Sequence, residues 1–154
     1  MPLIGLGDVQ DGIDGLEESM NEKLRAIYLQ GLNAVIEISP AHFKDGGRLR
    51  NSWSLNTSGT GVGTKRGPDE DGAGSRNNLY SKMPDWVLGK KLYFINPMPY
   101  ANVVEYGGYP KVPKKGTKTG SEYQILSRGG YSIQAPEGMV RVNLDFMKLA
   151  IRKI

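Results

Sequence analysis

The sequence predicts an α+β domain with a long N-terminal amphipathic helix, a small antiparallel sheet, a shorter C-terminal helix and two long exposed loops. Three observations predict it. Apolar residues recur three and four apart from Ile13 to Ile38, the spacing that puts them on one helix face. Short segments around Trp53 and Phe94 carry strand-type patterning. Two long stretches, 57–90 and 109–130, are rich in glycine, proline and charge and offer little to bury.

The first element follows from Ile13, Leu16, Met20, Leu24, Ile27, Gly31, Val35 and Ile38. Asp11 or Asp14 is the expected N-cap, and Glu17 and Glu18 suit the positive end of the helix dipole. Ser39-Pro40 ends the helix, because proline disfavours helical geometry in the residue before it. Residues 1–12, glycine-rich and acidic, read as a loose lead-in. After the turn Asp45-Gly46-Gly47, the apolar residues Leu49, Trp53 and Leu55 predict a half-buried strand of an antiparallel sheet. The stretch 57–90 holds seven glycines, a Lys65-Arg66 pair and the triplet Asp69-Glu70-Asp71. It reads as an extended arm, with Met83–Leu88 tucked back onto the body. Lys91–Ile95 is a second strand. Tyr100–Tyr106 is a short helical turn that Gly107 closes in a left-handed conformation. Residues 109–130 form the second exposed loop. At the C-terminal end, the pattern fits a strand over Met139–Asn143 and a helix over Leu144–Lys153.

The chain of 154 residues with 38% apolar content fits one domain with a lean core. Gly 21 and Pro 9 make about a fifth of it, so much of it is loop. The absence of cysteine excludes disulfides and thiolate metal sites and suits a reducing cytosol. No apolar run approaches a membrane span, and a start carrying Asp8, Asp11 and Asp14 lacks the basic head of a signal peptide. A net charge of +4 is mildly basic. A dedicated DNA binder clusters its cations more heavily.

The residues offer little chemistry. His42 is the only histidine, it sits in a loop, and it has no second histidine or cysteine to share a metal with. Gly59–Lys65 evokes a phosphate loop, but Thr64 separates glycine from lysine and Arg66 follows, against the pattern such a loop requires. Asp69, Glu70 and Asp71 lack calcium-loop spacing. Ser52 and Ser54 have no partner base. Glu105, between Val104 and Tyr106, is the one carboxylate of interest. It is expected to pair with Arg48 or Arg50, locking two segments together. Lys111, Lys114, Lys115 and Lys118 could attract a nucleic-acid backbone, yet no aromatic interleaves among them for base stacking. No catalytic, cofactor or metal site is assigned.

The order of segments is an N-terminal amphipathic helix, then Gly-Arg-Leu-Arg-Asn-Ser-Trp, a glycine-rich insertion and Asn-Pro-Met-Pro-Tyr-Ala-Asn-Val-Val-Glu-Tyr-Gly. A variable loop and Gln-Ala-Pro-Glu-Gly-Met-Val-Arg follow. From about His42 to Arg141 this resembles the neck or tail-completion (minor tail component) proteins of long-tailed double-stranded DNA bacteriophages. The resemblance rests on Gly47, Arg48, Leu49, Arg50 and Trp53 in the first motif, and on Tyr100, Ala101, Glu105, Tyr106 and Gly107 in the second. In the third it rests on Ala135, Pro136, Gly138, Met139 and Arg141. The long insertion at 57–90 departs from the family pattern.

What the resemblance implies is a long helix packed on a small sheet and a structural virion protein at the head–tail junction. Such a protein is assembled in the host cytoplasm and forms or completes a ring that joins the capsid connector to the tail tube. Implied partners are identical subunits, six by tail symmetry or twelve at the connector end, head-closure or adaptor proteins, and tail terminator or tube proteins. Genomic DNA in the lumen would be touched without sequence preference, with no cofactor and no membrane involved. Two other readings stand beside it, a small nucleic-acid-binding module and, less favoured, a hydrolase using Glu105 and His42.

Overall fold

The computed structural model describes residues 5–41, 46–108, 117–119, 122–124, 129–132 and 134–154, with backbone alone for 117–119 and 122–124. Helix α1 spans Leu6–Ile38, about 50 Å at the usual rise per residue. It therefore takes in residues 6–12 of the expected lead-in. Its N-cap is Gly5, at φ 112°, rather than Asp11 or Asp14. The far end falls where Pro40 demands, with Ser39 extended at ψ 128°. Only the second half of α1 enters the core, where Val35 and Ile36 are fully buried. Residues 6–18 are exposed throughout.

Gly46 and Gly47 both adopt positive φ, 60° and 82°. A Cβ on Gly47 would stand 2.7 Å from the Glu70 Cα. These glycines feed a single helical turn, α2, at Arg48–Asn51 rather than the expected strand. Leu49 is buried on α2, and strand β1 is confined to Ser54–Asn56. It pairs antiparallel with β2, Tyr93–Ile95, in the register Ser54 to Ile95, Leu55 to Phe94 and Asn56 to Tyr93. Trp53, just before β1, stacks on Phe94 with ring centroids 4.8 Å apart and planes 7° from parallel. Its indole Nε1 donates to Ser39 Oγ (2.8 Å), and Ser39 Oγ donates to the Val35 carbonyl (2.7 Å).

The stretch 57–90 is not an extended arm. Its middle is helix α3, Ala73–Lys82, and Leu79, Met83 and Val87 belong to the core. Asp69 orders the turn into α3, since its carboxylate accepts the N–H groups of Asp71, Gly72 (the N-cap) and Ala73, the first helical residue, at 3.0 to 3.2 Å. The segment after α3 does tuck back, as expected. Buried Asn21 donates to the Asp85 carbonyl (2.7 Å) and accepts from the Val87 N–H (2.7 Å). Arg25 Nε donates to the Pro84 carbonyl (3.0 Å).

Helix α4, Ala101–Tyr106, forms where the short helical turn was expected. Gly107 has positive φ (70°) but ψ −154°, so it leads the chain away extended instead of closing a left-handed cap. Within 109–130 the described backbone includes two strands, β3, Thr117–Thr119, and β4, Glu122–Gln124, paired antiparallel. Helix α5 runs Val140–Ile151, so no strand precedes it at Met139–Asn143. It crosses α1 at Gly31, where a Cβ would run into the Met147 side chain. α1 packs on α5 and α3, α3 packs on β1, and one core joins Val35, Ile36, Leu55, Trp53 and Leu79 to Phe94 at its edge. The architecture is α+β: a long N-terminal helix, a small antiparallel sheet and a shorter C-terminal helix.

Candidate functional site

The second and third motifs meet at Glu105. Its residue is 7% exposed on α4. Oε2 accepts the N–H groups of Met139 (2.6 Å) and Val140 (2.7 Å), and Oε1 accepts the N–H of Arg141 (3.0 Å). The carboxylate thus caps the first turn of α5, where unpaired N–H groups and the helix dipole both favour negative charge. Arg141 reaches back. Its Nε lies 3.1 Å from Oε1, and its Nη2 donates to the Glu105 carbonyl (2.7 Å) and to the Tyr131 hydroxyl (3.2 Å). The Arg141 guanidinium also lies 5.1 Å from the Tyr106 ring centroid, within cation–π range. Gly138 makes the approach feasible, because at φ 92° a Cβ there would meet the Glu105 carbonyl oxygen at 2.5 Å. Gly107 makes the other side feasible, with the Tyr131 ring 2.7 Å from where its Cβ would stand.

Burial by itself would raise the Glu105 pKa. The N–H groups of Val140, Arg141 and Met139 and the Arg141 side chain outweigh it and hold the carboxyl below the ordinary carboxylate value. The Arg141 guanidinium is pushed up, by the Tyr131 hydroxyl first and by Glu105 as well, against desolvation. An ionised carboxylate has about four acceptor positions, and four donors fill them here. A carboxylate so saturated has no lone pair directed at a substrate and stays ionised through neutral pH, which makes it a poor proton carrier.

The expected pairing of Glu105 with Arg48 or Arg50 is therefore replaced. Arg50 donates to the carbonyls of Ser39 (2.8 Å), Glu70 (2.7 Å) and Glu37 (2.9 Å), tying α2 to the end of α1 and to the turn before α3. The first and second motifs are linked instead by Asn96. Its Nδ2 donates to the Leu49 carbonyl (2.8 Å), and its Oδ1 accepts the Met98 N–H (3.1 Å). The sequence signal was its place before Pro97, where an Asn side chain commonly organises a turn. Arg66, marked in the sequence only by its pairing with Lys65, is a second link. It donates to the carbonyls of Asn51 (3.0 Å) and Trp53 (2.8 Å), and burial lowers its pKa.

Of the other motif residues, Leu49 and Trp53 are core, and Tyr100 packs against the core at the start of α4. Arg48 opens α2. Pro136 is exposed beside buried Ala135. Lys118 lies on β3, while Lys111, Lys114, Lys115 and His42 lie outside the described residues. Among the described residues, no group of three or more His, Asp or Glu side chains is placed to hold a metal.

Apolar surfaces are exposed as well. Leu6, Val9, Ile13, Leu16 and Met20 line the first half of α1, and Leu6 and Leu16 are each 62% exposed. Val142, Phe146 and Leu149 are exposed along one side of α5. On its other side, a groove of about 340 Å³ opens among Tyr28, Leu32, Phe94, Leu144 and Ile151. No described helix is long and apolar enough to cross a membrane. No family model, curated protein or solved structure matches the chain.

Proposed function

We propose that this chain is a structural virion protein of the neck of a tailed phage. Copies of it form or complete a ring between the capsid connector and the tail tube, leaving a passage for DNA. The observation that carries the reading is the apolar surface on α1 and α5 that the folded chain leaves uncovered. Apolar residues left exposed along one face of a helix mark contact with other chains when they form a patch. The polar motif residues support it from the other direction. Glu105, Arg141, Arg50 and Asn96 are engaged in holding segments together.

In this reading the chain is not an enzyme and needs no cofactor. Its partners are identical subunits, six by tail symmetry or twelve at a connector, together with head-closure or adaptor proteins and tail terminator or tube proteins. Lys111, Lys114, Lys115 and Lys118 offer non-specific contact to DNA in the passage. Electron microscopy of the purified protein, alone and mixed with tail tubes and connectors, tests the proposal. Rings seated on a tube or connector end are expected, and particles that stay single with both present would overturn it. Steeply salt-dependent binding of naked DNA by a single copy would instead favour a nucleic-acid module.

A further inference from the structure

We infer that the first half of α1 is an arm that seats its apolar stripe in the groove beside α5 of the next copy, so that subunits join head to tail. The inference deepens the reading above and rests on it to the extent that copies of this chain assemble with one another.

The stripe Leu6, Val9, Ile13, Leu16 and Met20 steps by three and four residues, the spacing of a seam that packs against a partner. Residues 6–18 are exposed throughout. Gly7, Gly12 and Gly15 lie within this part of the helix, and a Cβ at any of them would meet nothing within 4 Å. Glycine weakens an isolated helix, and helical arms of this length gain their stability from packing an apolar face. The groove is the complementary feature, apolar and about 340 Å³ in volume, bordered by Tyr28, Phe94, Leu144 and Ile151.

The arm cannot fill the groove of its own chain. Ile13 and Tyr28 lie on one continuous helix, about 22 Å apart along its axis. An arm seated there therefore belongs to another copy, and charge favours that pairing. Residues 5–22 carry Asp8, Asp11, Asp14, Glu17, Glu18 and Glu22 with no Lys or Arg. The segment 139–154 carries Arg141, Lys148, Arg152 and Lys153 against Asp145 alone, and Lys90 and Lys91 precede the groove residue Leu92. Lys148 lines the groove, its ammonium 3.6 Å from the Asp145 carboxylate. An acidic arm and a basic groove rim attract each other. Two arms zipped together would set six carboxylates against six, which disfavours a symmetric arm–arm pairing. Stripe and groove are different surfaces of one chain, so the contact is heterologous and propagates from copy to copy.

The test uses the full chain and two variants, with folding checked by circular dichroism and thermal melting. Ile13→Asp/Leu16→Asp disables the arm. Leu144→Asp disables the groove, and Lys148→Glu serves in its place should Leu144→Asp not fold. By sedimentation, the wild type is expected to self-associate, less tightly as salt rises. Each variant alone is expected to associate at least about 30-fold more weakly. A mixture of the arm and groove variants is expected to stop at a one-to-one dimer, since only one intact arm and one intact groove remain between them. A wild type that stays single at its solubility limit, an arm variant that assembles like wild type, or a mixture that forms no dimer would each overturn the inference. Rings that cap tail tubes with the arm disabled would sink the arm while sparing the neck reading. Arm-dependent assemblies that never engage tubes or connectors would do the reverse.

Discussion

Glu105 and Arg141 grip each other twice, once through the side-chain contact of 3.1 Å and once where Arg141 Nη2 donates to the Glu105 carbonyl at 2.7 Å. The same carboxylate caps α5 through three backbone N–H groups. α5 therefore begins where α4 places Glu105. Replacing Glu105 with Gln keeps the shape but removes the charge and one acceptor oxygen. Hydrogen bonds to charged groups contribute about 1.5–3 kcal/mol each at most, and some survive with the amide. The expected loss is about 1–3 kcal/mol in urea unfolding, with the helical signal intact. An unchanged midpoint would show that the cap contributes nothing.

Stability also depends on pH through this group. Its carboxyl is held below the ordinary value in the folded chain. Its contribution is then full above the unfolded glutamate pKa of about 4.3 and fades as pH falls through the lower folded value. The gap in unfolding free energy between wild type and Glu105→Gln is expected to be constant from pH 7 to about 5 and to narrow below about 4. A gap that widens on acidification would contradict the assignment.

Trp53 is 4% exposed and stacks on Phe94. Trp53→Ala is expected to cost about 3–5 kcal/mol, the range for large buried aromatics. A measured loss under about 1 kcal/mol in chemical denaturation would contradict the packing. Trp53→Phe keeps ring stacking but removes the donor to Ser39 Oγ, and a smaller loss of about 1 kcal/mol is expected.

Gly138→Ala tests the approach between α4 and α5. Residue 138 has φ 92°, and the new Cβ would stand 2.5 Å from the Glu105 carbonyl oxygen. Strain and displacement together are expected to cost about 1–3 kcal/mol. In the double variant with Glu105→Gln the losses are expected to fall short of additive, because both act on one contact.

Asp69→Ala removes the side chain that accepts from the start of α3. A loss of about 1 kcal/mol is expected, the size of a typical net hydrogen-bond contribution. Hydrogen exchange is expected to quicken first in Ala73–Lys82, and exchange that stays uniform would argue against that role.

What could be read from the residues was what local spacing encodes. The second half of α1 and its stop at Ser39-Pro40 follow from periodicity and from proline's steric demand. α3 was hidden because its sequence, Ala-Gly-Ser-Arg-Asn-Asn-Leu-Tyr-Ser-Lys, buries only Ser75 and Leu79, too few apolar residues to show a period. Asp69 followed by Gly72 was its one local signal. The spacing of Leu49, Trp53 and Leu55 after the glycine turn suggests a strand, whereas the positive φ values of Gly46 and Gly47 lead into a helical turn. The beginning of α5 was obscured by β-branched Val140 and Val142, and its cap comes from Glu105, more than thirty residues away. No local pattern can announce a cap supplied at that distance. For the same reason, the expected partner of Glu105 stands in the first motif and the actual one in the third.

The crossing of Gly31 with Met147 sets the bearing of α5 against α1 inside each copy. If the arm of one copy docks beside α5 of the next, that bearing fixes the rotation from neighbour to neighbour. Angular errors repeat identically at every junction, so they add instead of averaging out. A methyl group at position 31 would then decide between a circle that meets its own beginning and a lock-washer that climbs past it.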